Sequence, residues 1–187
     1  MHMTSSKKLV ILDRDGVINV DSDAFIKSAD EWVPIPGSLE AIARLNQAGY
    51  RVVVASNQSG IGRGLFDMAA LNAMHAKMQR AAAAVGGRID AVFFCPHTAE
   101  DHCECRKPKP GLLKMIMDRF EVDPATTAVV GDSLRDLEAG AALGFPTHLV
   151  LTGKGKKTLE ADGLPAGTRV HDDLKAFALA FLSEREE

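Results

Sequence analysis

Short apolar runs that alternate with helical patterns constrain this chain more than any other feature of its sequence. The runs are continuously hydrophobic, mostly rich in β-branched residues, and occur five times: LVIL (9–12), RVVVAS (51–56), AVFF (91–94), TTAVVGD (126–132) and THLVL (147–151). Continuous hydrophobicity predicts strands buried on both faces, and strands separated by helices predict a parallel sheet. We therefore expect a three-layer α/β fold, in which a central parallel sheet is covered by helices on both faces.

Helical patterns fill the segments between these strands. SLEAIARLNQAG places its apolar residues on one face, with Ser38 as the predicted N-cap and Gly49 as the residue after the C-cap. Further helices are predicted at residues 67–85, 110–120, 134–143 and 173–183. The sequence contains no internal repeat or linker, so residues 1–187 are predicted to form one domain, with a disordered tail at residues 1–6.

The composition argues against two broad classes of protein. The formal charge of −3 disfavours a nucleic-acid binder with a broad basic surface. No apolar run approaches the roughly 20 residues that a membrane helix needs.

Three cysteines without a recognisable export signal predict reduced thiols and a cytoplasmic protein. The sequence shows no heptad seam or exposed apolar stripe, which favours a monomer.

Chemically active side chains directly follow several of the predicted strands, at the edge of a parallel sheet where ligands bind. Asp13 and Asp15 follow the first strand in DRDG, Ser56 ends the second, Lys107 precedes the fourth, and Asp132 follows it. Each has an ordinary explanation when taken alone. DRDG is also typical of a solvated turn, Asp132 of a helix N-cap, and Lys107 of a surface charge.

The arrangement of these side chains carries more information than any one of them. Three carboxylates around one crevice have too much negative charge to remain unneutralised, and their hard oxygens suit Mg²⁺. A hydroxyl and a lysine that face this ion would hold a transferring phosphoryl group. The sequence therefore predicts a magnesium-dependent site for phosphoryl transfer.

All three cysteines lie in the stretch CPHTAEDHCECRKPKPG, residues 95–111. One imidazole and three thiolates suit a closed, four-coordinate structural Zn²⁺, and the predicted ligands are Cys95, His97, Cys103 and Cys105. His102 is a rival ligand. A redox pair is disfavoured because the cysteines do not have Cys-x-x-Cys spacing. A catalytic thiol is disfavoured because Asp13 is already a candidate for the chemical step. Zinc is expected to pin this loop and to aim Arg106 and Lys107 into the crevice.

In order along the chain, DRDG, Ser56, Lys107 and GDSLRD resemble the four motifs of the haloacid dehalogenase-like phosphatases. The resemblance covers most of the chain and implies the three-layer Rossmannoid fold of that family. The gaps at residues 16–51 and 60–106 are filled by predicted core elements, so no cap domain is expected. The crevice should be roofed by the loop at residues 17–34 and by the zinc loop.

The resemblance also implies a role for each motif residue. Asp13 would attack phosphorus and become an aspartyl phosphate, while Asp15 would protonate the leaving oxygen and then deprotonate the hydrolytic water. Mg²⁺ would lie between the Asp13 carboxylate, the Asp15 backbone carbonyl and Asp132. Ser56 and Lys107 would bind the phosphoryl oxygens.

Within the capless members of that family, DRDGVINVD, SNQSGIGRG and CPH…CxCRKPKPG are similar to a phosphorylated-sugar branch. That branch hydrolyses the C7 phosphate of D-glycero-D-manno-heptose 1,7-bisphosphate on the ADP-heptose route to lipopolysaccharide core. Histidinol-phosphate hydrolysis is kept as an alternative for two reasons. The zinc loop is short, as in the histidinol-phosphate enzymes, and the fourth motif reads GDS where some heptose enzymes have GDK. A non-enzymatic zinc-loop binding module is a further alternative, against which the intact set of motif residues argues.

Several residues are predicted to contact the rest of such a substrate. A guanidinium matches phosphate geometry, so Arg106 is assigned to the second phosphate or to nearby hydroxyls. The candidate hydroxyl contacts are Asn57, Gln58, Ser59 and Asp21. Hydrogen bonds within their own loops are the alternative role of these four side chains.

Overall fold

A parallel sheet of six strands, in the order β3-β2-β1-β4-β5-β6, forms the centre of the protein. The structure is a computed structural model that describes residues 8–185. Its strands are β1 (Leu9–Leu12), β2 (Arg51–Asn57), β3 (Ala91–Cys95), β4 (Ala128–Gly131), β5 (Thr147–Val150) and β6 (Arg169–His171). Its helices are α1 (Ser38–Gln47), α2 (Ser59–Gly62), α3 (Met68–Ala84), α4 (Gly111–Phe120), α5 (Leu134–Ala141), α6 (Gly155–Glu160) and α7 (Leu174–Ser183).

The three-layer prediction is confirmed by the way β1 divides its side chains between two cores. Val10 and Leu12 belong to one apolar cluster, which also contains buried residues of α1, α3 and α7. Leu9 and Ile11 belong to a second cluster, which contains buried residues of α4 and α5. Successive side chains of a strand point to opposite faces, so a continuously apolar strand must be covered on both sides.

β1 occupies the middle of the sheet and aligns the strands that carry the crevice. Val10 lies opposite Val52 of β2 and opposite Ala128 of β4 in parallel register. Because all strands run in the same direction, the residues that follow β1, β2 and β4 emerge at one edge of the sheet. This edge is where the predicted acids and the hydroxyl were expected to meet.

The structure corrects several element predictions. The five predicted strands are confirmed, but β6 was missed, since it has three residues and two of them are exposed. Asn57, Gln58 and Ser59 were assigned to a loop, whereas Asn57 ends β2 and Ser59 begins α2. Gly37, in a left-handed conformation, is the N-cap of α1 in place of Ser38, whose hydroxyl instead donates to the Val17 carbonyl at 2.8 Å.

The loop that follows DRDG is anchored over the sheet without a separate domain. Ile18, Ile26 and Trp32 of this loop are buried in the first core. The Nζ of Lys77 in α3 donates to the carbonyls of Ala29 at 2.7 Å and Trp32 at 2.8 Å. Within residues 8–185, the prediction of a capless fold is therefore confirmed.

Two further expectations concern the tail and membrane-spanning helices. The predicted disordered tail, residues 1–6, lies outside them, so the domain boundary 1–187 stays a prediction. Across residues 8–185, we find no helix that combines the length and the apolarity needed to cross a membrane.

Candidate active site

The side chains predicted from the motifs meet in one crevice at the carboxyl edge of the sheet. The crevice has a volume of about 200 Å³. Its lining includes eight of the predicted residues: Asp13, Asp15, Asp21, Asn57, Gln58, Ser59, Arg106 and Asp132. Ser56 and Lys107 are also buried, beside this lining. The strand pattern therefore brought together residues that are more than 100 positions apart in the chain.

Three buried acids form what we call the acid cluster: Asp13, Asp132 and Asp136. One carboxylate oxygen from each lies within 4.8 Å of the others. Burial, followed by the charge of Asp136, raises the pKa of Asp13 to about 7. Burial, followed by the charge of Asp13, raises the pKa of Asp132 to about 8. Such shifts mark carboxylates that need a cation, and hard oxygen donors of this kind fit Mg²⁺.

Asp136 was not assigned from the sequence, although it lies one helical turn after Asp132 in GDSLRD. Ser133 begins α5 as its N-cap and donates from its backbone N–H and its hydroxyl to one Asp136 oxygen, at 3.2 and 2.9 Å. The alternative role of Asp132 as the N-cap is therefore wrong. The other Asp136 oxygen lies 2.6 Å from the Nζ of Lys107. Asp136 thus holds the lysine, while Asp13 and Asp132 face the crevice.

Lys107 is almost completely buried, yet its ammonium group has three partners. Its Nζ contacts the Asp13 Oδ1 at 3.1 Å, the Asp136 Oδ1 at 2.6 Å and the Ala55 carbonyl at 2.6 Å. Burial alone would lower the pKa of Lys107, but the charges of Asp13 and Asp136 outweigh burial and raise it. The lysine is therefore a fixed positive charge beside Asp13.

Asn57 braces the backbone that carries this lysine. Its side-chain amide donates to the Lys107 carbonyl at 3.1 Å and accepts from the Lys107 N–H at 3.0 Å. Both the donor and the acceptor of the amide are therefore engaged, although with a segment 50 positions away rather than within the loop of Asn57. A direct contact of Asn57 with substrate stays a prediction, as do those of Ser59 and Asp21.

Asp15 lines the crevice and has a different set of partners from those of the lysine. Its Oδ1 accepts from Arg14 Nε and Asn19 Nδ2, both at 2.9 Å. Its Oδ2 accepts from Gln58 Nε2 at 3.2 Å, and the same amide donates to the Ser56 hydroxyl at 2.8 Å. The carboxylate is therefore oriented by hydrogen-bond donors and stands apart from the acid cluster.

The loop after β5 contributes to the site in a way that sequence reasoning missed. The backbone N–H of Lys154 donates to the Asp132 Oδ2 at 2.9 Å, and the Thr158 hydroxyl donates to the Asp132 carbonyl at 2.8 Å. A Cβ on Gly16 or Gly153 would lie 2.0 or 2.3 Å from the Asp132 Oδ2. Glycine is therefore required at both positions. The position of this loop after a strand was the available signal.

The second predicted ligand set also comes together, and we call it the thiol cluster: Cys95, His97, Cys103 and Cys105. One ligand atom from each lies within 4.8 Å of the others. The Sγ of Cys95 is 3.5 Å from that of Cys103 and 3.0 Å from that of Cys105. The three cysteines are free thiols, and His102 is not a member of the cluster. The donor set fits a tetrahedral Zn²⁺.

Four basic side chains border the crevice: Arg63, Arg106, Arg135 and Lys154. Arg106 follows the thiol cluster directly, and its Nη1 donates to the His97 carbonyl at 3.5 Å. The rim therefore offers positive charge to the part of an anionic ligand that lies outside the acid cluster. Only Arg106 of these four was assigned from the sequence.

A family model described as haloacid dehalogenase-like hydrolase matches residues 6–144. The D-glycero-beta-D-manno-heptose-1,7-bisphosphate 7-phosphatase of Bordetella bronchiseptica is 60% identical over 177 residues, which cover 95% of this chain and 99% of that protein. The protein of the same name from Pseudomonas aeruginosa is 54% identical over 177 residues, with the same coverage of both chains.

Two solved structures similar to this chain are also of heptose bisphosphate phosphatases. The crystal structure of D,D-heptose 1,7-bisphosphate phosphatase from B. bronchiseptica, complexed with magnesium and phosphate, superposes with a TM-score of 0.93 at 60% identity. The enzyme of that name from Burkholderia thailandensis superposes with a TM-score of 0.78 at 73% identity. Each match covers 95% of this chain and 99% of the other.

Proposed function

The chain belongs to the haloacid dehalogenase-like hydrolase family, and we propose that it hydrolyses the C7 phosphate of D-glycero-β-D-manno-heptose 1,7-bisphosphate. The products are heptose 1-phosphate and inorganic phosphate. The observation that carries this proposal is the buried lysine that lies between Asp13 and Asp136, beside Asp132. The names of relatives at 54–60% identity support the heptose substrate over histidinol phosphate.

The donor set of the crevice supports a bound Mg²⁺, and a neighbouring structure of the same family was solved with magnesium. We assign its protein ligands to the Asp13 carboxylate, the Asp15 backbone carbonyl and Asp132. When bound, the ion screens the repulsion between the Asp13 carboxylate and the phosphate dianion. Asp136 is already engaged by Lys107 and Ser133, so we leave it out of this ligand set.

In the first step, the Asp13 carboxylate attacks phosphorus. A bond forms between its oxygen and phosphorus, and the bond between phosphorus and the C7 oxygen breaks. Asp15 gives its proton to that leaving oxygen. Lys107, whose charge is fixed beside Asp13, and the Ser56 hydroxyl bind the oxygens of the transferring group.

In the second step, Asp15 takes a proton from a water molecule, and that water attacks the phosphorus of the aspartyl phosphate. The bond between phosphorus and the Asp13 oxygen breaks, which releases inorganic phosphate and restores the carboxylate. Asp15 ends the cycle protonated, ready for the next leaving group. The four basic residues at the rim supply charge for the phosphate that stays on C1, and we assign Arg106 to it.

We further propose that Zn²⁺ occupies the thiol cluster and holds the loop that carries Arg106 and Lys107. The thiol cluster begins at the end of β3, and Lys107 follows its last member by two residues. Free thiols in this arrangement fit a reducing compartment, which supports the prediction of a cytoplasmic protein. A monomeric state remains a prediction.

Side-by-side kinetics on three substrates test the proposed function. With Mg²⁺ present, kcat/KM should be highest for the β-heptose bisphosphate, lower for its α anomer and lowest for histidinol phosphate. Phosphorus NMR of the product should show that the C1 phosphate remains. Comparable or faster turnover of histidinol phosphate would contradict the proposed substrate.

A second measurement tests the assignment of Arg106. Arg106→Met should lower kcat/KM for the bisphosphate by about tenfold or more, because a charge-assisted hydrogen bond to phosphate contributes about 1.5–3 kcal/mol. It should leave turnover of heptose 7-phosphate, which lacks the C1 phosphate, within about threefold of the unmodified enzyme. An equal loss on both substrates would assign Arg106 to the loop rather than to the second phosphate.

A further inference from the structure

Arg14, the residue between the two acids of DRDG, is completely buried. Its guanidinium group points towards α3 rather than into the crevice, because its Nη1 lies 3.2 Å from the His75 Nε2 and 3.8 Å from the Met74 sulfur. Nothing in the mechanism above uses this side chain. A buried charge in the catalytic motif that has no assigned role calls for an explanation.

Two nitrogens of the guanidinium group converge on one carboxylate oxygen of Asp15. Its Nε and Nη2 lie 2.9 and 2.8 Å from the Asp15 Oδ1. Its Nη2 also donates to the Gln58 Oε1 at 3.4 Å, and the amide nitrogen of Gln58 donates to the Asp15 Oδ2 at 3.2 Å. Arg14 therefore holds Asp15 directly and also through Gln58.

The two oxygens of Asp15 are treated differently by these contacts. Oδ1 accepts from Arg14 and from Asn19, whose Nδ2 lies 2.9 Å away. Oδ2 accepts from Gln58 alone and through a longer hydrogen bond. A carboxyl group that must exchange a proton needs one oxygen fixed and the other accessible. Oδ2 is the oxygen that meets this requirement.

His75 completes the arrangement from the other side of the guanidinium group. Burial, followed by the charge of Arg14, lowers the pKa of His75 to about 4, so the ring is neutral at physiological pH. A neutral ring whose Nδ1 carries the proton presents a lone pair on Nε2. His75 therefore accepts a hydrogen bond from Arg14 Nη1 and fixes the orientation of the guanidinium group.

Stability alone does not explain this arginine. A buried guanidinium group pays a large desolvation cost, and an apolar side chain of similar volume often serves the core as well or better. The partner carboxylate is 24% exposed at its side chain, so the pair is only partly shielded from water. The arginine is better explained by what it does to Asp15.

We propose that Arg14, held in place by His75, is a positioning residue that fixes Asp15 with its Oδ2 towards the leaving oxygen of the substrate. This inference rests on the proposed role of Asp15 as the general acid of the phosphatase reaction. Its distinguishing consequence is a dependence on the leaving group. A mispositioned acid slows the departure of an alkoxide, whereas p-nitrophenolate leaves without a proton.

The experiment compares kcat/KM, which reports formation of the aspartyl phosphate, on the heptose bisphosphate and on p-nitrophenyl phosphate. General acid catalysis contributes about 10²–10⁴-fold, so Arg14→Met should lose about 100-fold on the heptose bisphosphate. On p-nitrophenyl phosphate, followed as nitrophenolate release with enzyme in excess, the loss should stay within about threefold. Asp15→Asn is the benchmark and should show the same discrimination, with a larger loss.

A second pair of variants keeps the test decisive if Arg14→Met does not fold. His75→Leu removes the acceptor and should lose about tenfold on the heptose bisphosphate only. His75→Gln retains an acceptor and should recover most of that loss. Equal losses on both substrates, or no loss on either, would overturn the proposal for Arg14. If Asp15→Asn itself shows no discrimination between the substrates, the proposed role of Asp15 fails instead.

Discussion

The acid cluster draws its side chains from the ends of β1 and β4 and from α5, whereas the thiol cluster draws all four from residues 95–105. The strands that carry Asp13 and Asp132 are paired in fixed register, and Asp136 is held by Lys107 and Ser133. The thiol cluster spans the end of β3 and a loop whose regular structure is a 3₁₀ turn at Ala99–Asp101.

The difference indicates that the two proposed metals would have different roles. The sheet and its hydrogen bonds can hold the acids in place without help, so a cation there serves chemistry more than folding. A loop with little regular structure has few interactions of its own, so a metal that joins four side chains contributes to its stability.

Asp13→Asn should abolish activity and leave the fold intact. The substitution removes the nucleophile, so kcat should fall by about 10⁴-fold or more. It also removes one of three neighbouring buried acids, so the melting temperature should be unchanged or higher. Phosphate release and calorimetry measure the two effects. Turnover within tenfold of the unmodified enzyme would refute the role of Asp13, and the exposed Asp118→Asn is the inert control.

Removal of metal from the thiol cluster should produce the reverse pattern. Cys105→Ser should release zinc and lower the free energy of unfolding by about 2–4 kcal/mol, because loss of a metal site is among the mechanisms behind the larger effects of single substitutions. kcat/KM should also fall, because the loop carries Arg106 and Lys107.

His102→Ala is the matched control for this prediction, since His102 lies in the same loop but outside the thiol cluster. It should retain about one zinc per chain by elemental analysis, together with the melting temperature of the unmodified protein. Loss of zinc without any change in melting temperature in Cys105→Ser would contradict the structural role of the metal.

Asp136→Asn should show how strongly the acid cluster depends on its lysine. The substitution removes one of the two charges that hold Lys107, and a charge-assisted hydrogen bond contributes about 1.5–3 kcal/mol. kcat should therefore fall by about tenfold to a hundredfold, while magnesium still binds. Ser133→Ala removes a hydroxyl that caps α5 but leaves the pair of Lys107 and Asp136, so it should lose much less activity. Equal losses in the two variants would contradict the assigned role of Asp136.

A pair of buried histidines outside both clusters should have the smallest effect on turnover. His148 Nδ1 lies 3.0 Å from His171 Nε2, and burial, followed by the charge of His171, lowers the pKa of His148 to about 3. In the unfolded chain, His148 takes up a proton near pH 6.5, whereas in the folded chain it does so only near pH 3. The stability due to this group is therefore present above pH 6.5 and is lost as pH falls towards 3.

Between pH 7 and pH 5, this loss should amount to about 2 kcal/mol in urea unfolding. His148→Gln cannot take up the proton and should show a smaller dependence on pH over the same range. If the dependence is unchanged, the pair of histidines is not its source. This pair differs from the acid cluster, because changes to it should affect the stability of the fold, whereas changes to the acid cluster should mainly affect turnover.

The amino-acid pattern was enough to predict the layers of the fold and eight of the residues that line the crevice. Continuous apolar runs fixed five strands, and the parallel arrangement fixed that Asp13, Ser56 and Asp132 emerge at the same edge. Cysteine spacing predicted the thiol cluster, although the choice of His97 over His102 came from the structure. Each of these features depends on local pattern or on the direction of the chain in a parallel sheet, which a sequence records directly.

Which of these side chains become partners depends on the packing of the folded chain. Lys107 reaches Asp13 across 94 positions, the loop after β5 supplies an N–H to Asp132, and Arg14 turns inwards to His75 of α3. Such contacts arise from packing between elements that are distant in the chain, and no local periodicity encodes them. A sequence shows which side chains can act, but the distances in the folded protein decide which oxygen, nitrogen or proton each of them meets.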